Sequence, residues 1–522
     1  MLQVNEETAM AGPAAPGNKR DRLQWFNDIG FGMFIHWSID GQIGSVIGHS
    51  TAGASEDYLR KYSEILPSTF NPKKFDPDDW AILAKLAGMR YVVFTTKHHS
   101  GFCMFHTATT PFNIANTPFK RDITAEVVEA FRKQGIAIGL YFSPDDFHFL
   151  HGKGLPLRRG VKPEECEGLL EYNQAQLREL MTNYGKVEIV FFDGPSDGLR
   201  EVCWEIDPDT VVTRGAMETP EQCIPGVQSD EPWEACVTMG TGWQYKPTNE
   251  QYKSGTQLIE LLIETRAKGG NLLLNVGPKP DGELPIEQEA LLREIALWNF
   301  VNSEAIYQVR PWYVPFEGDI CLTTKKEDQT VFAFVESDSP WPLGERRKLS
   351  LASVRASDQT TVHLLGQADE PVVAECSPIE WQQEKERLQI SAARTQRLYN
   401  NNSWPNPVVI KITHAQPGLV PPTVFTGEAV WDVRLASCLF HGNLAHLGEA
   451  GTVEAGFQYR LSKLLAVSFD EWQESDFESL QATGEYCTRI GDLEKRTRYE
   501  FRAVARYRTM TVYGDSVTFK TD

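Results

Sequence analysis

Between residues 24 and 305 short apolar runs alternate with longer amphipathic ones. The apolar runs are FGMFIHW (31–37), YVVFTTK (91–97), IAIGLYFS (136–143), VEIVFFDG (187–194), TVVTRG (210–215) and NLLLNVGP (271–278), with WEACVTMG (233–240) as a further candidate. They lack the polar alternation of a half-solvated strand, which is the pattern of strands covered on both faces. The amphipathic runs read as helices. DPDDWAILAKLAG (76–88) opens on acidic residues and closes on Gly88; DITAEVVEAFRKQG (122–135) opens on Asp122 as N-cap, carries its basic residues late and closes on Gly135. That charge order suits the helix dipole and its caps. Residues 164–183 and 254–268 read as helices too. Strand–helix alternation over this length predicts an α/β fold with a parallel sheet. The absence of a Gly-rich dinucleotide loop favours a (β/α)8-like barrel over a doubly wound sheet.

Past residue 306 the pattern changes to strand-like segments such as TVFAFVES (330–337), TVHLLG (361–366) and PVVIKIT (407–413), which predict a β-sandwich domain. THAQPGLVPPT (413–423) reads as a linker. The last hundred residues alternate again, and their end resembles a fibronectin type III domain, in which a Tyr-containing corner precedes the penultimate strand. The expected organisation is an N-terminal arm (1–20), a catalytic (β/α)8-like barrel (21–305), a β-sandwich domain (306–414) and a fibronectin type III-like domain (415–522).

A chain of 522 residues is too long for one core and fits this division. The net charge of -20 repels nucleic acid and anionic membranes, so neither is an expected partner, whereas a neutral sugar suits it. The nine cysteines include no C-x-x-C pair, so buried, reduced thiols are expected rather than a zinc knuckle or redox motif. No run of about 18 apolar residues occurs and no basic-then-apolar leader opens the chain, so the expected location is cytoplasmic. No cofactor is expected. Oligomeric state is open, and the β domains could carry a homo-oligomer.

In a (β/α)8 barrel the chemistry sits at the C-terminal ends of the strands. Those ends carry His36 and Trp37, then Lys97, His98 and His99, then Tyr141 and Ser143, then Asp193 and Gly194, then Arg214, and in the last run Asn275. Imidazoles, aromatic faces and one carboxylate on one rim form a sugar-binding inventory. Taken in order, FGMFIHW, FNPKKFDPDDWAILAKLAGMRYVVFTTKHHSGFCMFHT, GLYFS, VEIVFFDG, METPEQ and GGNLLLNVGPKPDG resemble the family 29 α-L-fucosidases over about residues 24–305. The most specific part is TTKHHSGF followed by FFDG and then NLLLNVGPKPDG.

The resemblance implies an exo-acting hydrolase that removes terminal α-L-fucose from fucosylated oligosaccharides or glycosides with retention, using an Asp nucleophile and a separate acid/base. Two carboxyl groups about 5–5.5 Å apart would then flank the anomeric carbon. Asp193 matches the nucleophile, fixed after the apolar run VEIVFF, with Gly194 leaving room for the sugar; an N-cap Asp for a helix near Pro195 is its structural alternative. Glu218, Glu221, Glu231 and Glu234 compete for the acid/base. Glu221 lines up best with the family's residue, and Glu218 and Glu234 are its rivals. His36, His98, His99, Tyr141, Arg214 and Trp243 match substrate-contacting positions.

A metal at His98 and His99 is not expected, because neighbours on a strand point to opposite faces and no carboxylate has zinc-ligand spacing. Two departures bear on the sugar site. Ser100 follows the paired histidines where the family often has Asp, and Glu56-Asp57-Tyr58 stands where it often has Glu-Trp-Tyr, which makes Glu56 a candidate for the outer wall. The competing readings are a non-catalytic fucose-binding lectin on the same fold, a retaining exo-glycosidase for a galactose-like sugar, and an adhesive protein. The last leaves the polar rim unexplained.

Overall fold

The computed structural model describes residues 17–522 except 226–227, 230, 336–339, 369–378, 399–402, 436, 462–471, 509 and 522. Seven parallel strands form the first sheet: β1 (Phe31–Ile35), β2 (Tyr91–Lys97), β3 (Ala137–Phe142), β4 (Ile189–Phe192), β5 (Val211–Val212), β6 (Glu234–Thr238) and β7 (Asn271–Val276). Their spatial order is β5-β4-β3-β2-β1-β7-β6, so the sheet curls into a barrel with its seam between β5 and β6. All seven apolar runs supply a strand. Residues 217–222 lie along the seam: the amides of Glu234 and Cys236 donate to the carbonyls of Glu218 and Pro220, and that of Gln222 donates to Cys236. This irregular stretch takes the place of an eighth regular strand.

The two faces of each strand enter different cores, as a period of two requires. Phe34, Val93, Tyr141, Phe191, Cys236 and Leu273 fill the barrel. Their neighbours Met33, Phe94, Leu140, Phe192, Val237 and Leu274 pack outward in the larger core that the surrounding helices share. Helix α1 (Arg20–Ile29) closes the N-terminal end, with Phe26 5.4 Å from Tyr91. The end of the expected loose arm is docked: Asn18 exchanges two 2.8 Å hydrogen bonds with the backbone of Val212 at the edge of β5. Residues 1–16 of the arm lie outside the described residues.

Helices α2 (Glu56–Thr69), α3 (Pro77–Leu86), α4 (Ile123–Lys133), α5 (Phe147–Gly152), α6 (Leu169–Asn183), α7 (Arg200–Ile206), α8 (Gly255–Ala267) and α9 (Ile286–Asn302) follow. Asp76 and Asp122 cap α3 and α4 through their side chains, and Ser254 and Gln257 form a capping box on α8. The helix expected at 164–183 starts only at Leu169, because Gly168 turns the chain at φ 84°.

Among the described residues beyond 306 all regular structure except short turns is β. A five-stranded sheet of Val309–Glu317, Ile320–Lys325, Val331–Val335, Val362–Leu364 and Val408–Ile412 shares the large core with the barrel helices. Gln416–Pro417 pairs with Val354–Arg355, so the Pro- and Gly-rich stretch stays attached to this region past residue 414. A separate core, built on Phe440, Phe457 and Phe501, lies among the strands from Thr423 to Lys520. There the Tyr499 hydroxyl accepts the amide of Glu494 at 3.0 Å. We propose that the last unit is a domain of fibronectin type III-like character, on its separate core and this tyrosine corner. Among the described residues no helix is long and apolar enough to cross a membrane.

Candidate active site

Side chains that face into the barrel reappear two residues on at its C-terminal rim. His36 follows Phe34, and Asp193 follows Phe191. These four, with Ile47, His49, His98, Tyr141, Arg159, Arg214, Glu221, Cys236 and Trp243, line one cavity. Asp193 lies at its centre. Its Oδ2 accepts the Tyr141 hydroxyl at 2.8 Å and stands 3.3 Å from His99 Nε2. Its Oδ1 accepts Arg159 Nη2 at 2.6 Å and Arg214 Nη1 at 3.3 Å. Burial opposes the charge on Asp193, but the hydrogen bond and charge of His99 and the guanidiniums of Arg159 and Arg214 outweigh it and hold the carboxyl well below its usual range. Asp193 is not a helix cap, since α7 begins at Arg200 with Leu199 as its N-cap. Gly194 is required by its backbone, at φ 149°, and by a close approach in which a Cβ would meet Pro144 Cδ at 3.2 Å and Asp145 Oδ2 at 3.3 Å.

The histidines are set by their partners. His36 Nδ1 lies 2.6 Å from Asn275 Oδ1, and the Asn275 amide nitrogen donates to the Trp243 carbonyl. That fixes the amide, makes His36 Nδ1 the donor and leaves Nε2 as an acceptor toward the cavity. Burial pushes His36 down to about 3 and His49 down to about 4, and holds His98 well below its ordinary value. These three imidazoles are therefore neutral near pH 7, suited to hydroxyl groups rather than anions. His98 stacks on Tyr141, and Trp243 lies 4.8 Å from His36.

The expectation that His98 and His99 diverge is overturned. The ladder between β2 and β3 shifts register between Thr95 and Lys97, so strict alternation ends there. Both rings turn inward, and His98, His99 and Asp193 bring ligand atoms within 4.8 Å of one another. Two guanidiniums already occupy Asp193 Oδ1, and they would repel a dication at this point.

The candidate glutamates separate by position. Glu221 lines the cavity, and its Oε2 accepts Arg214 Nη1 at 3.0 Å, the same nitrogen that reaches Asp193. Glu218 and Glu231 are exposed outside it. Glu234 is fully buried as the first residue of β6, and Tyr91, the first residue of β2, donates to it at 2.7 Å. In a parallel barrel this is the floor, with Phe191 and Cys236 between it and the rim. Glu56 also falls away from the cavity. It sits in the exposed first turn of α2 and pairs with His151 Nε2 at 3.0 Å; His49, from the preceding loop, lines the cavity instead.

His49 and Arg159 escaped the sequence reading, since loop residues carry no periodicity to mark them. Phe34, Phe191 and Cys236 were accessible to it: two lie two residues before a rim residue on a strand, and the third follows Glu234 by two.

The sequence model of the family described as α-L-fucosidase matches residues 3–304, more than half of the chain. The chain belongs to the α-L-fucosidase family. The tissue α-L-fucosidase of Mus musculus is 30% identical over 394 residues, 67% of this chain and 84% of that protein. The structure of α-L-fucosidase isoenzyme 1 from Paenibacillus thiaminolyticus superposes with a TM-score of 0.61 at 27% identity, covering 75% of this chain and 98% of the other. An α-L-fucosidase from Vibrio sp. strain EJY3 shares the fold over 97% of this chain and 93% of its own, with a TM-score of 0.66 at 19% identity.

In this family member the buried Glu234 is expected to couple stability to pH. Burial pushes its carboxyl up to about 7 from an ordinary 4.5. Between those values the unfolded chain loses the proton that the folded chain keeps, so stability falls as pH rises through the window. Glu234→Gln keeps an acceptor for Tyr91 and removes the titration. The variant is expected to lose this slope and to exceed the parent at pH 8, by at most roughly 3 kcal/mol. Urea melts at pH 5 and pH 8 measure both, and an unchanged slope would assign the pH dependence elsewhere.

Proposed function

We propose that this enzyme removes terminal α-L-fucose from fucosylated glycosides by double displacement, with Asp193 as nucleophile and Glu221 as acid/base. The observation that carries this reading is the shared contact of Arg214 Nη1, 3.3 Å from Asp193 Oδ1 and 3.0 Å from Glu221 Oε2. Two carboxylates touching one nitrogen lie closer than the roughly 6.5–9.5 Å of an inverting pair. One is buried and held ionised; the other is 43% exposed at the rim, where a leaving group would depart.

In the first step an Asp193 oxygen bonds to the anomeric carbon while the glycosidic oxygen leaves with a proton from Glu221. The ester has no charge, so Arg214 then faces the Glu221 carboxylate alone. Glu221 takes a proton from water as the water oxygen attacks the anomeric carbon and frees Asp193. Neutral His36 and His98 suit the hydroxyls, and the Trp243 face suits the apolar side of the sugar.

Hydrolysis of an aryl α-L-fucoside by the purified chain, followed by NMR, tests this. The first sugar released should be the α-anomer, and prolonged EDTA should not slow the reaction, since only carboxylates do the chemistry. Release of the β-anomer refutes retention, binding without cleavage supports a lectin, and faster turnover of a galactoside supports a galactose-like substrate. A loss of rate restored by metal would point to His98, His99 and Asp193 as a metal centre.

A further inference from the structure

The cavity around Asp193 measures about 40 Å³. That admits a few waters, and the Arg159 side chain lines it against Asp193. Three of the four partners of this carboxylate belong to the barrel: Tyr141 and His99 are essentially buried, and the Arg214 side chain is 21% exposed. Arg159 differs. It comes from the segment between α5 and α6, and its side chain is 47% exposed although its tip reaches Oδ1 at 2.6 Å. The backbone beside it is pinned, because the amides of Gly160 and Val161 donate to the buried Asp145 carboxylate at 3.0–3.3 Å. The main chain is thus held, and the side chain, whose Nε lies 3.9 Å from Asp145 Oδ2, has solvent to swing into.

We infer that Arg159 is a displaceable counter-ion of the nucleophile: it occupies Asp193 Oδ1 in the empty site and withdraws when the glycoside enters, which makes Oδ1 the attacking atom. An oxygen engaged by two charge-assisted hydrogen bonds has little electron density to offer a carbon. Oδ2 stays with Tyr141 and His99, whose positions the barrel fixes. Arg159 forms and breaks no covalent bond and is a positioning residue. The inference rests on the reading of Asp193 as nucleophile.

The test uses the full chain and its Arg159→Ala and Arg159→Lys variants, with kcat and KM for a neutral aryl α-L-fucoside measured across pH. The charged or titratable groups facing Asp193 from the surrounding elements are His99, Tyr141, Arg214 and Arg159. Beyond them stand His36, His49 and His98, with Asp145, Glu221 and Cys236. Arg159→Ala removes one charge from this set. KM should fall several-fold, because no ion pair must be broken on entry, with kcat within about threefold of the parent. The acid limb of kcat/KM, which reports the free enzyme, should rise by about one pH unit or more, since an adjacent arginine depresses a carboxylate by about that much. The acid limb of kcat should stay, because Arg159 has already left in the complex. Arg159→Lys should restore the acid limb of kcat/KM. A raised KM with a lowered kcat and an unmoved acid limb would overturn the inference in favour of direct sugar binding, and parent-like behaviour in both variants would overturn it outright. If the parent cleaves no fucoside, or Asp193→Ala stays active, the underlying reading fails instead.

Discussion

Asp193→Ala is expected to reduce hydrolysis of an aryl α-L-fucoside by four or more orders of magnitude, each tenfold corresponding to about 1.4 kcal/mol of barrier. The loss is this large because, among the described residues, the groups that touch Asp193 are donors and cannot replace the attacking atom. Tyr141, His99, Arg159 and Arg214 all present donors to the position the carboxylate vacates. The fold should survive the change. Arg159 is half in solvent already, and Arg214 keeps Glu221 as a partner. Circular dichroism and a melting curve close to the parent's would separate lost chemistry from lost structure. Azide is small and anionic, and the same donors would hold it where the carboxylate was. It should attack from that face with inversion, restoring part of the rate and giving the β-fucosyl azide. Turnover near the parent level without azide would remove Asp193 from the mechanism.

Glu221→Ala should divide substrates by leaving group. A sugar aglycone departs as a strongly basic alkoxide and needs its proton, so its first step should slow by the 10²–10⁴-fold typical of a lost general acid. An acidic phenol departs almost unaided, and its first step should lose little. For that substrate, attack by water on the fucosyl ester, now without a base, becomes limiting. The ester accumulates and the apparent KM falls. Azide needs no base and should rescue this variant with retention, giving the α-fucosyl azide, the opposite anomer to the Asp193→Ala product. Glu218→Ala serves as control because Glu218 is exposed outside the cavity and contributes a carbonyl to the seam. Its rates should stay near the parent's. Glu234→Ala should mainly affect stability, since Glu234 lies on the barrel floor against Tyr91. Azide rescue in Glu234→Ala and none in Glu221→Ala would transfer the acid/base role to Glu234.

The seven buried strands were legible because each is a run of residues too apolar for a solvated face, and burial on both faces leaves that mark whatever the neighbours are. The caps on α3 and α4 were legible for a similar reason: Asp76 and Asp122 act on amides two and three residues away. Asp193, His36 and Tyr141 could be placed on one rim because strand ends in a parallel barrel converge by construction. Local rules gave no access to what depends on distance through space. The two histidines converge through a register shift between β2 and β3, which no single-strand rule contains. Glu218, Glu221 and Glu234 lie within seventeen residues of sequence, yet one reaches the cavity, one faces solvent and one is sealed in the floor. Their fates follow from residues 217–222 lying along β6 at the seam. Glu56 and His49 exchange expected places because α2 carries the glutamate away into solvent while the loop before it folds over the rim. Arg159 meets Asp193 across thirty-four residues through an anchor on Asp145. The barrel, its rim and the carboxylate on that rim are each written in neighbours along the chain and could be read there. Which second carboxylate and which cations face Asp193 follows from the folded chain alone, because those contacts are made by loops whose course is set by what they pack against.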